Sequence, residues 1–103
     1  MTLDFLFRHY AVSRISVLAD MNHPKPDDNT HRTYAAYLPL VAACRPDWDE
    51  HTVKRKTFCL ISVMQQTFLR YETAQAILDI DLRQKENRRM WHTQILHDIL
   101  EVS

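Results

Sequence analysis

Asp81-Leu82-Arg83-Gln84-Lys85-Glu86-Asn87-Arg88-Arg89-Met90-Trp91-His92 is the most charged run in a chain whose 13 basic and 13 acidic side chains leave no formal net charge. Whether this run continues a helix or interrupts one decides how many helices there are and how they pack. Upstream of it, Val53, Ile61, Met64, Phe68, Tyr71 and Leu78 form an apolar seam at helical spacing, with Gln75 as its one polar member between Ile61 and Leu78. At about 100° per residue, an unbroken helix from residue 50 to the end would put Lys85, Arg88, Arg89 and His92 on the face that carries Tyr71, Ala74 and Leu78 before them and Leu96 and Ile99 after. Burying such groups unpaired costs several kcal/mol each. The chain is therefore expected to change direction or phase between Asp79 and Asn87. Asp81 with Gln84 can form a capping box there, and Asn87 can take the left-handed conformation that glycine usually supplies after a helix.

Glycine itself is absent from all 103 residues. Tight hairpin turns and phosphate-cradling loops depend on its missing Cβ, so β-hairpin folds and glycine-loop nucleotide binding are disfavoured. The expected fold is all-α, one domain over residues 1–103, a small bundle of four helices with no β-sheet. Three long helices are the alternative if the last two are continuous.

The predicted helices span about residues 2–21, 30–44, 48–80 and 82–101. Thr2 is the expected N-cap of the first, with Asp4 in its first turn. Leu3, Leu6, Phe7, Tyr10, Val17 and Leu18 make its stripe, while Phe5, Val12 and Ile15 widen it beyond one face. A helix apolar on so many sides is expected to be central to the fold or half of a dimer interface. Residues 22–29, NHPKPDDN, read as a loop. Asn29 or Thr30 can cap the second helix, in which Pro39 predicts a kink or a restart near Leu38. Asp47 and Glu50 suggest a capping box for the third.

Length and composition fit one globular core without metal or disulfide support. Cys44 and Cys59 lie in the apolar segments AACRP and TFCLI, so both are expected to be buried, reduced thiols, in keeping with a cytoplasmic protein. The N-terminal twenty residues are too interrupted by charge for a membrane span. Lys54-Arg55-Lys56 is expected to pair locally with the acidic residues just upstream.

Chemistry-bearing patterns are thin. The six histidines show no compact metal-ligand spacing, and no serine sits in a nucleophile elbow, so no catalytic residue, metal or cofactor is expected. The expected function is that of a small non-enzymatic, intracellular protein-binding module, a regulator, adaptor or inhibitor acting through a helical surface as a homodimer. Its partner is another protein, and no membrane is involved. Candidate contacts are Arg88, Arg89 and Trp91, exposed together beside the junction, with Tyr34 and Tyr37. Arg88 and Arg89 are expected to be solvated, so that neutralising both leaves folding nearly unchanged. The alternative is a transcriptional regulator with a helix-turn-helix-like segment around residues 73–92. It would contact nucleic acid through Arg83, Gln84, Lys85, Asn87, Arg88 and Arg89.

Overall fold

The computed structural model describes residues 3–102. All regular structure among them is helical, in six elements: α1 (Leu3–Arg8), α2 (Tyr10–Asn22), α3 (Asn29–Cys44), α4 (Glu50–Leu69), α5 (Tyr71–Leu78) and α6 (Lys85–Leu100). The expected cap at Thr2 lies outside the described residues. Four predicted helices become six because the first and third are each interrupted once, at His9 and at Arg70.

These two interruptions share one geometry. His9 has φ −116° and ψ 48°, and Arg70 has φ −121° and ψ 45°. Each precedes a tyrosine that stands three residues after a phenylalanine: Phe7-Arg8-His9-Tyr10 and Phe68-Leu69-Arg70-Tyr71. The bends lie against each other, and all four cross-pairs of rings meet edge-on, with centroids 5.3–5.9 Å apart. Edge-to-face contact sets the positive rim of one ring against the negative face of the next. The Arg14 guanidinium donates to the Leu69 carbonyl at 3.2 Å, giving that oxygen a partner at the bend.

Side-chain caps mark the starts of α3 and α4. Asp28, not Asn29 or Thr30, caps α3 by accepting from the His31 N–H at 2.8 Å. Thr30 instead donates through its N–H and hydroxyl to Asp20, tying α3 to α2. The cap of α4 is Asp49, which accepts from Thr52 N–H. Asp47, expected in that role, binds the Arg45 guanidinium at 2.7 Å. The helix α3 passes through Pro39 without the expected restart.

The break between α5 and α6 falls where the charge phase places it. Asp79, rather than Asn87, takes the left-handed conformation, at φ 55° and ψ 44°. A short acidic side chain tolerates this region better than most residues do. Leu82 anchors the connection at 0% exposure, and Gln75, the polar member of the seam, accepts its N–H at 2.9 Å.

Helix α4 is the central element, packed against α1, α3, α5 and α6. One core cluster joins Val41, Val53, Leu60, Ile61, Met64, Ile95 and Leu100. A second joins Leu3, Leu6, Val17 and Phe68. Trp91 packs against both, and its indole N–H donates to the Thr67 hydroxyl at 3.1 Å. The molecule is a slab with principal extents of 36 × 34 × 19 Å.

Candidate binding surfaces

The charged run divides between the connection and the first two turns of α6, and its cations have separate fates. Arg88 is only 9% exposed. Its Nε and Nη2 donate to Asp4 Oδ1 at 3.1 and 2.7 Å. Its Nη1 donates to the carbonyls of Leu82 and Arg83 at 3.2 and 3.0 Å, and the guanidinium lies 5.1 Å from the centroid of the Phe7 ring. The expectation that Arg88 is solvated is thus corrected. The burial penalty applies to an unpaired charge, and α1 supplies the carboxylate that pairs it. The same guanidinium holds the Asp4 carboxyl below the ordinary carboxylate range.

Trp91 is half-buried between the two cores, so it does not form an exposed patch with Arg88 and Arg89. Arg89 is exposed on the next position of the helix. Tyr34 and Tyr37 are half-buried against the larger core, and burial raises the pKa of both phenols. Tyr34 stacks on Phe58 and donates its hydroxyl to the Phe58 carbonyl at 3.4 Å. Arg88, Arg89 and Trp91 therefore do not make one exposed patch, and Tyr34, Tyr37 and Trp91 pack against the same core.

The alternative set is divided between internally bonded and exposed side chains. Arg83 Nε binds Asp81 Oδ1 at 3.0 Å, and Asn87 Nδ2 donates to the Asp81 carbonyl at 3.0 Å. Gln84, Lys85 and Arg89 remain exposed, with no carboxylate paired to either cation among the described residues. Helix α5 packs against α4, whereas a helix-turn-helix unit requires it to brace the following helix.

Two apolar surfaces are open instead, of which only the second was foreshadowed by the sequence. The first is a groove of about 360 Å³ between α4 and α5, lined by Val63, Gln66, Thr67, Thr73, Ala74 and Ile77. Helix α5 has no buried residue, and Ile77 at the groove is 76% exposed. The second is the outer face of α2, where Val12 and Ile15 are 74% and 70% exposed. The excess apolar width of the first predicted helix was a legible signal for that second surface. The groove was hidden, because the bend at Arg70 creates the angle between α4 and α5.

Both thiols are free, as expected, but exposed rather than buried. Apolar neighbours along the chain are not neighbours around a helix, and Cys44 and Cys59 fall on outward faces. Within Lys54-Arg55-Lys56, Lys54 pairs with the upstream Glu50 at 3.0 Å as expected, whereas Lys56 reaches Glu101 at the far end of α6 at 3.4 Å. His92 is half-buried, and desolvation lowers its pKa. Among the described residues, no three His, Cys, Asp or Glu side chains converge as metal ligands. No helix is long and apolar enough to cross a membrane.

Comparison with known proteins finds no family model, no curated protein and no solved structure that matches the chain.

Proposed function

We propose that the protein is a non-enzymatic protein-binding module, a regulator, adaptor or inhibitor, that receives an amphipathic helix of its partner in the α4–α5 groove and acts as a homodimer. The observation that carries this reading is Ile77, largely exposed beside an apolar groove on a helix with no buried residue of its own. A partner helix placing aliphatic side chains along such a groove would cover Ile77 and Ala74, with Gln66, Arg70 and Thr73 at the polar rim. Two exposed free thiols suit a reducing compartment such as the cytoplasm.

The test compares wild type, Ile77→Asp and Arg89→Glu in capture from a native extract, followed by hydrogen exchange on the recovered complex. The expected result is one partner kept by wild type and Arg89→Glu, lost with Ile77→Asp, and protecting residues 62–77. A partner retained equally by Ile77→Asp overturns the groove assignment. Binding to duplex DNA that weakens steeply with salt would favour the nucleic-acid reading through Lys85 and Arg89.

A further inference from the structure

The geometry points to a small-molecule site beside the bend at Arg70, for a ligand that joins a phosphate to an aromatic ring. It is separate from the use of the α4–α5 groove and does not rest on the function proposed above.

The phosphate half begins from one half-buried cation. Of the lysines and arginines that are not fully exposed, Arg45, Lys56 and Arg88 each meet a carboxylate, at 2.7, 3.4 and 2.7 Å. Arg14 meets none among the described residues. It gives one N–H to the Leu69 carbonyl and lines a cavity of about 430 Å³ with its other donors unspent. Arg70 lines the same cavity, exposed and likewise without a carboxylate among the described residues.

Tyr71, Glu72 and Thr73 also line this cavity, and they form the first turn of α5, which no side chain caps. The N–H groups of a first turn have no acceptor within their own helix and carry the positive end of its dipole. Two guanidiniums and an uncapped helix start therefore border one volume, and Glu72 is the carboxylate that offsets them in part. Guanidiniums engage carboxylate and phosphate in the same forked geometry. Phosphate brings a further acceptor oxygen and a second charge, which suits this supply of donors better than a carboxylate does.

The ring half lies across two tyrosines. Tyr10 borders the first cavity as well, and Tyr10 and Tyr71, with ring centroids 5.9 Å apart, line a second one of about 250 Å³ with Phe7, Arg83 and Arg88. Both arginines of this second cavity already hold carboxylates, those of Asp81 and Asp4. Its offer is aromatic surface rather than unspent charge, and a planar ring is what neighbouring rings and guanidiniums receive. The two volumes share the tyrosines and together fall in the size range of small-ligand sites. The paired bends build both halves, since Tyr10 and Tyr71 are the residues that follow them.

The experiment is calorimetric titration of the intact chain with phenyl phosphate, inorganic phosphate, phenylacetate and phenol, with NMR of the tyrosine rings alongside. Phenyl phosphate is expected to bind with a dissociation constant of about 1 mM or tighter and to shift the ring signals of Tyr10 and Tyr71. The other three are expected to bind at least about 10-fold more weakly, since each lacks the ring, the phosphate or any charge. Arg70→Gln is expected to weaken phenyl phosphate about 10-fold at unchanged melting temperature, because the exposed side chain has no other partner among the described residues. Arg14→Lys keeps a donor for the Leu69 carbonyl but loses the fork, and is expected to weaken binding by a similar factor. Glu72→Gln removes the opposing charge and is expected to tighten binding by about 3-fold.

Failure of phenyl phosphate to bind at about tenfold that concentration overturns the site. Binding that survives both Arg70→Gln and Arg14→Lys overturns its placement. Equal affinity for inorganic phosphate overturns the ring half, and equal affinity for phenylacetate overturns phosphate as the anion.

Discussion

Arg88 and Ile15 invert the usual rule of where side chains go: the first turn of α6 sends a charge inward, and the middle of α2 holds an aliphatic side chain in water. The inward charge is tolerable because every part of it is answered. Four donor contacts reach Asp4 and two carbonyls, and an aromatic ring lies beneath the guanidinium. The outward isoleucine has no such compensation within one copy of the chain. Burial of charge therefore marks completed structure here, whereas exposure of apolar surface marks where the proposed binding would bury it.

The largest test of that contrast is Arg88→Met. It keeps an apolar stem but strands Asp4, and should destabilise the fold by roughly 3 kcal/mol in urea titration. Asp4→Leu combined with Arg88→Met should recover most of this loss, since two apolar groups leave no uncompensated ion. If Arg88→Met melts like wild type, the buried pair contributes nothing and the comparison fails.

A smaller effect is expected at Trp91, which joins the two cores. Trp91→Phe keeps a ring there but removes the donor to Thr67, and should cost about 1 kcal/mol in the same titration. Acid should reveal the caps and ion pairs next. Asp28 is held at about 2, chiefly by the His31 N–H, against an ordinary value of 3.8. A carboxylate lowered in the folded state stabilises above its unfolded pKa and loses that contribution as pH falls through the folded one. Melting temperature should therefore decline between about pH 4 and pH 2. Asp28→Asn can still cap the helix, so it should keep neutral stability while removing part of that decline. Asp4, lowered by Arg88, acts in the same direction.

The smallest effects belong to the outward-facing groups. Ile15→Asp and Arg89→Glu should each change monomer stability by no more than about 0.5 kcal/mol. Both cysteines should react with a thiol reagent in the native protein without prior unfolding. Slow reaction at either would contradict its outward placement.

The helical class and the break before α6 were legible from particular features. Absent glycine removed the turns that β-hairpins favour, and the cations from Lys85 to His92 could not continue the seam of Tyr71 and Leu78. The bends at His9 and Arg70 were not legible, since neither carries proline or glycine. Their signal is the matched Phe-x-x-Tyr spacing, which acquires meaning only when the two segments meet. Arg88 and Arg89 were indistinguishable for a related reason: adjacent residues point about 100° apart, and the position of α1 selects which one is enclosed. The α4–α5 groove was not legible because it depends on a bend that local pattern does not encode. The breadth of the first helix was read as a choice between a central position and an interface, and α4 takes the centre.

The Asp4–Arg88 bond spans 84 residues of chain, and this separation orders events in time. At synthesis rates of about 5–20 residues per second, Arg88 is added roughly 4–17 s after Asp4. Throughout that interval Leu3, Leu6 and Phe7 await a seat assembled from Phe68 and Trp91. Helix α1 therefore cannot complete its packing before α6 has been made.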